Sequence, residues 1–417
     1  MAIRATLAVA VAILAGLIHV RSVSAEVEKR WTLPVPLPPQ SVYLDPFSFA
    51  VIGENDTFRN NSVTGYFNPT NATAPFFQIF DPSFVTTVLG ESPSIQSIAY
   101  NPGFAFAHEA PIYVPELDEV FFTSNDGGTL GYSNWYNNSV VGKISMTEVE
   151  SAVSAAGTTP ANVNVQVTEL PLADTIQMTN GGTGPYYGNL VLVTSGRALF
   201  PPSLALVNPN PPYNVTVLLD NYFGRQFNSL NDVKIHRQSG NIFFTDPTYG
   251  YLNQFRPAPG LPTQVYRYNP ATGAVKVVAD GFNKCNGVAF NPSETVAYVT
   301  DTGVSGGFEG FDQTLPATIY AFDIDPLTQA FTNRRVFAYA DAGVPDGIQV
   351  DSLGNVYSGC GDGIQVWNSE GTLIGKFFLN STSANMIFAG PGRLVILDET
   401  TIYLARIQAQ GIDLAYP

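Results

Sequence analysis

Four oxygen-bearing side chains stand at matching places along this chain: Glu109, Asn231, Asn286 and Asp346. Each opens a short β-rich run: Ala110-Pro111-Ile112-Tyr113, Asp232-Val233-Lys234-Ile235, Gly287-Val288-Ala289-Phe290 and Gly347-Ile348-Gln349-Val350. Two carboxylates and two amide carbonyls form a hard, all-oxygen donor set. Such a set suits Ca²⁺, which takes roughly 6–8 oxygen ligands, better than zinc, which favours His and Cys. Water or substrate would complete the shell. Taken singly, Asn-Gly, Asn-Asp and Asp-Gly are ordinary turn dipeptides and a lone Glu is ordinary surface. Their recurrence at one phase of a repeat is what points to a site.

The repeat itself is legible. Asn231 to Asp246, Asn286 to Asp301 and Asp346 to Gly359 each read as a polar residue, an alternating strand, a turn and a second β-rich strand. Looser copies begin at Glu109, Asn180 and Ala384, making six units. From Asn180 to Asn231 to Asn286 to Asp346 the steps are 51, 55 and 60 residues. Multi-stranded repeats of about this length are propeller blades, with loop insertions stretching the longer steps. One blade cannot bury both its faces, whereas a ring of blades buries them against each other. The expected fold is therefore all-β, a six-bladed β-propeller with a central metal site. The first strand of each blade lines the channel, so residues at its start converge on one mouth. The segment from about Val42 to Tyr100 is expected to supply a strand that closes the ring. Thr147 to Ala156 is the best helix candidate, with Thr147-Glu148-Val149-Glu150 as its capped start.

Other chemistries find little support. Asp232 reads as a turn or supporting group beside Asn231. Asp246 and Asp301 end matching strands, which suggests a repeated structural role. His236 alternates with Val233 and Ile235 and reads as structural. His108 is next to Glu109, but in an extended segment its side chain would point to the opposite face. No Ser-His-Asp arrangement is visible, and Gly181-Gly182-Thr183-Gly184 lacks the Lys and helix signature of a phosphate loop. Nineteen Lys and Arg against 34 Asp and Glu give a net charge of −15, which argues against nucleic acid as a partner.

The first 25 residues read as a signal peptide: Arg4, an apolar run from Ala5 to Val20, and a small-residue cleavage site at Val23-Ser24-Ala25. Residues 26–30, ending in Lys29-Arg30, read as a short propeptide, leaving 31–417 as one propeller domain. No later segment is apolar for long enough to span a bilayer. A secreted, extracellular protein is expected, with N-glycosylation sequons at Asn55, Asn60, Asn71, Asn137, Asn214 and Asn380. Cys285 and Cys360 could form one disulfide in an oxidising compartment.

The ordered motifs Phe106-Ala107-His108-Glu109-Ala110-Pro111, Asn228-Ser229-Leu230-Asn231-Asp232, Phe244-Thr245-Asp246-Pro247-Thr248-Tyr249-Gly250, Asn286-Gly287-Val288 and Pro345-Asp346-Gly347-Ile348 resemble the senescence-marker/gluconolactonase family, particularly its fungal lactonohydrolase-like members. The likeness runs from about Phe80 to Ile407. It implies a six-bladed propeller with one catalytic divalent ion, held by Glu109, Asn286 and Asp346, with Asn231 binding it directly or through water. It implies a small lactone substrate, Ca²⁺ polarising the carbonyl, and Asp346 as the base that takes a proton from water. His108 is the rival base. Some members carry an arginine two residues before the asparagine of the second motif, for sugar-lactone recognition. Ser229 occupies that place here and is, with Asn231 and Tyr249, a candidate substrate contact. Three readings follow: a Ca²⁺-dependent lactonase acting on aldonolactone- or pantolactone-type rings, an arylesterase or organophosphate hydrolase on the same site, and a non-catalytic ligand-binding propeller.

Overall fold

Runs rich in Val, Ile, Phe and Tyr, broken by Gly, Pro, Asn and Asp turns, give short antiparallel strands in fours. The computed structural model describes residues 36–45, 66–158 and 160–417. Signal peptide, propeptide, Asn55 and Asn60 lie outside the described residues. Six sheets form blades I to VI, each beginning with an inner strand: Glu109–Val114, Thr179–Tyr186, Val233–His236, Cys285–Phe290, Ile348–Val350 and Asn385–Phe388. This is the expected six-bladed, mostly-β propeller.

The ring closes with strands from both ends of the chain. In blade VI, Thr401–Arg406 pairs antiparallel with Ser94–Tyr100, so an early strand completes the last blade, as the sequence suggested. Blade V gains two further strands, Phe76–Ile79 and then Ser41–Tyr43, on its outer edge. Six apolar clusters lie one at each blade interface. Between blades II and III, for example, Val191, Val193 and Leu204 meet Val233, Ile242 and Phe244. Between V and VI, Tyr357, Ile364 and Val366 meet Met386, Leu394 and Ile396. Burial against a neighbouring blade, rather than within one, is what makes the ring cooperative.

The inner strands approach too closely for side chains at some places. A Cβ on Gly287 would stand 2.5 Å from Asp346 O and 2.9 Å from Ile348 Cγ2, so glycine there lets blade IV touch blade V. The helix Met146–Ala156 leaves blade I as expected, but its N-cap is Ser145, whose side chain accepts from Glu148 N–H; Thr147 already lies inside the first turn. The far end of the channel is covered by the C-terminal tail. Gln410 to Ala415 line a cavity of about 240 Å³ there together with Tyr113, Gln349 and Phe388. Tyr416 stacks on Tyr186, with ring centroids 5.1 Å apart.

Cys285 and Cys360 are both buried and free, in different blades. The sequon residues Asn71, Asn137, Asn214 and Asn380 are exposed. Among the described residues, no helix is long and apolar enough to cross a membrane.

Candidate active site

The loops entering the inner strands are tied down from within their own blades. Asp246 accepts from Asn228 N–H (2.9 Å) and Ser229 N–H (2.8 Å); Asp301 accepts from Asn283 N–H (2.9 Å) and Lys284 N–H (2.8 Å). Both aspartates end the second strand of a blade, and both fix the loop that presents an asparagine to the channel. Asp232 adds a tie between blades, accepting from Val233 N–H and Val288 N–H, each at 2.8 Å. These are the supporting roles that their sequence positions suggested.

The loops deliver Glu109, Asn231, Asn286 and Asp346 to a single cavity of about 310 Å³ at the channel mouth. Asn180 from blade II, His108, Asn125, Asp126 and Tyr249 also line it. The sixth blade takes part indirectly: Asn385 Nδ2 donates to Glu109 Oε2 at 2.7 Å. Every blade thus places a polar residue at this level.

The electrostatics are those of an acidic, desolvated cradle. Glu109 is 2% exposed, and burial, reinforced by the negative charge of Asp346, pushes its carboxyl well above the usual range. Burial raises Asp346 to about 7, with His108 and a hydrogen bond from Asn286 pulling the other way. Asn231 Oδ1 and Asn286 Oδ1 are buried and have no hydrogen-bond partner. A buried acceptor without a donor is rare and costly, as are two desolvated carboxylates side by side. A bound cation answers all four groups at once, so the donor set fits a hard divalent ion. Among the described residues no group of three or more His, Cys, Asp and Glu could hold a metal; the cradle here is half amide.

His108 belongs to this wall. Its Nδ1 lies 2.7 Å from Glu399 Oε1, and Asn125 Nδ2 donates to Glu399 Oε2 at 2.9 Å. Burial alone would lower the imidazole, but the charge and hydrogen bond of Glu399 raise it to about 10. His108 lies one residue ahead of the strand Glu109–Val114, so strand alternation does not set the direction of its side chain. The pairing of Glu109–Val114 with Glu119–Thr123 shifts register between Glu109 and Ile112, and Ala110 sits at φ 53°. His108 and Glu109 both line the cavity.

Tyr249 lines the cavity, its hydroxyl 2.5 Å from Thr302 Oγ1. Ser229 does not. It is 1% exposed, and its Oγ accepts from Gly250 N–H at 2.9 Å. This contact holds the turn that carries Tyr249. His236 is structural, with Nε2 3.2 Å from Glu294 O and its ring against Phe290. Sequence reasoning missed Asn180, Asp126, Asn385 and Glu399 as site residues. Asn180 and Asn385 carried a signal, since both open inner strands of the looser repeats.

A ring of six blades aiming carboxylates and amides into one channel mouth defines a propeller with a central polar site. The chain belongs to the SMP-30/Gluconolactonase/LRE-like family, whose pattern matches residues 154–397, more than half of its length. Among curated proteins it is 27% identical to the lactonohydrolase oryL of Aspergillus oryzae, over 82% of this chain and 76% of that one. It is 32% identical to a gluconolactonase of Zymomonas mobilis, over 38% of this chain and 44% of that one. Among solved structures, a gluconolactonase from Xanthomonas campestris superimposes with a TM-score of 0.59 at 24% identity, covering 79% of this chain and 93% of that one. A calcium-binding protein, regucalcin, from Agrobacterium tumefaciens superimposes with a TM-score of 0.53 at 14% identity, covering 77% and 97%. Lactonohydrolases and gluconolactonases cleave carboxylic esters, and the chain is a hydrolase of that family.

Proposed function

We propose that the chain is a secreted lactonase that hydrolyses the ring ester of aldonolactone- or pantolactone-type substrates with the help of one bound divalent cation, Ca²⁺ by the chemistry of its donors. The observation that carries this reading is the convergence of a buried carboxylate, Glu109, a half-buried one, Asp346, and two unpartnered amide oxygens on one cavity. Glu109, Asn231, Asn286 and Asp346 would hold the ion. Bound there, it supplies a Lewis acid for the lactone carbonyl and the oxyanion that develops on it. The exposure of the sequon residues Asn71, Asn137, Asn214 and Asn380 supports passage through a secretory pathway.

The proton chemistry belongs to side chains. Water adds to the carbonyl carbon, and Asp346 Oδ takes its proton. The ring C–O bond then breaks, and the leaving alkoxide needs a proton in return. His108 is suited to supply it, because Glu399 holds the ring through Nδ1 and stabilises its charged form, leaving Nε2 to donate. Tyr249, tethered through Thr302, forms part of the wall that orients the substrate.

The test is hydrolysis of an aldonolactone and pantolactone panel by the purified protein, with EDTA and with Ca²⁺ restored. Activity that EDTA abolishes, Ca²⁺ restores and Asp346→Ala lacks is the expected result. Absence of hydrolysis on every lactone by folded, Ca²⁺-saturated protein would overturn the proposal and redirect attention to aryl esters and phosphotriesters.

A further inference from the structure

We infer that Asn180 is a further ligand of the same cation, aimed into the cradle by Asp126 and Ser195. The inference rests on the cation site proposed above and adds blade II to it.

Asn180 stands at the same level of the ring as Asn231. The next residue, Gly181, is pressed against blade III: a Cβ there would lie 2.3 Å from Asn231 O and 2.6 Å from Asp232 Cα. Asn180 is 4% exposed and lines the same cavity, and its Oδ1 has no hydrogen-bond partner. Of the 10 buried side-chain polar atoms left without a partner among the described residues, only Asn180 Oδ1, Asn231 Oδ1 and Asn286 Oδ1 belong to residues of this cavity. All three are amide oxygens, and they come from consecutive blades. Two of them already belong to the proposed donor set; the third is of the same kind in the same wall.

The orientation of the Asn180 amide has a cause. The Asp126 carboxylate stands on the same cavity wall, and the Asn180 amide favours its charged form. An ionised carboxylate only accepts, so the end it favours is the NH₂ end, and the carbonyl end is left for the cavity. Asp126 is itself held, with its Oδ2 3.2 Å from Ser195 Oγ, which also lies 3.0 Å from Leu230 O in the loop before Asn231. Blade II therefore carries an aimed amide oxygen on a supported chain of contacts, as metal ligands commonly do. A fifth protein oxygen brings the set closer to the six to eight that Ca²⁺ takes and leaves fewer positions for water and substrate.

The test uses Tb³⁺ as a luminescent probe and Ca²⁺ in calorimetric titration, on the full chain stripped with EDTA. Lifetimes in H₂O and D₂O count the waters on bound Tb³⁺. Asn180→Ala, shown folded by circular dichroism, is expected to add one water and to weaken Ca²⁺ binding by about tenfold or more. Asn180→Asp, which keeps the oxygen, is expected to restore the wild-type water count. Asp126→Ala leaves Asn180 present but unaimed and is expected to weaken Ca²⁺ in the same direction; it carries the test should Asn180→Ala fail to fold. Wild-type affinity and water count in Asn180→Ala, with KM alone raised, would make Asn180 a substrate contact and overturn the inference while the cation site stands. No binding of either ion by the wild type would instead overturn the cation site itself.

Discussion

Glu109 shows why the site reads as a cation cradle at the level of single residues. Its carboxyl is buried, beside a second carboxyl, with one amide donor from Asn385. Without a cation its charge is a liability to the fold; with one it is a ligand. Glu109→Gln is therefore expected to leave the melting temperature in EDTA unchanged or higher, and to abolish the rise that Ca²⁺ gives the wild type; thermal unfolding with and without Ca²⁺ checks both. Glu399 acts through His108. Glu399→Gln keeps the shape but removes the charge that holds the imidazole, and kcat is expected to fall roughly 10²-fold with KM little changed. Steady-state kinetics on the best lactone decides, and a kcat equal to wild type would remove His108 from the proton path. Glu109, Asn231, Asn286 and Asp346 were legible in the sequence because a repeat converts equal phase along the chain into nearness in space. Glu399 was not, because it meets His108 from 291 residues away, where the last blade closes on the first.

At the scale of elements, the cradle depends on how closely inner strands pass. Gly287 is the clearest case, since any Cβ would meet the Asp346 carbonyl. Gly287→Ala should push blades IV and V apart at the very residue that carries a ligand. A loss of about 1–3 kcal/mol in stability is expected, seen in urea unfolding, with weakened Ca²⁺ binding alongside. Wild-type stability would mean that the strands can shift without cost. Strand positions, and a closing strand somewhere between Val42 and Tyr100, could be read from β-rich runs and turn residues; that it is Ser94–Tyr100 is shown by the fold. The bulge at Ala110 could not be read, because nothing in a His-Glu-Ala-Pro string says that alternation breaks there. The same limit explains Ser229: the sequence places it near the site, but only the fold shows that its hydroxyl turns inward to Gly250.

At the scale of the molecule, several carboxyls are held in the ring against solvation. Burial raises Asp246 and Asp398 to about 7 and Asp126 to about 6, each from an ordinary value of 3.8, with hydrogen bonds offsetting part of the effect. Between about pH 4 and 7 the folded chain keeps protons that the unfolded chain has released, so stability falls as pH rises through that window. In EDTA the melting temperature at pH 5 is expected to exceed that at pH 8 by at least about 3 °C, as thermal scans would show. The opposite order would mean that these carboxyls are ionised in the fold. This balance depends on burial that only the closed ring defines, so net charge and composition do not show it. The proposed chemistry stands or falls on whether the channel mouth holds one cation on side chains from separate blades. Anomalous diffraction from crystals grown with Ca²⁺ would show this without intermediaries. The predicted result is one strong peak in the cavity, in contact with Glu109, Asn231, Asn286 and Asp346. A cavity without a peak under saturating Ca²⁺, or a peak bound elsewhere on the chain, would contradict it.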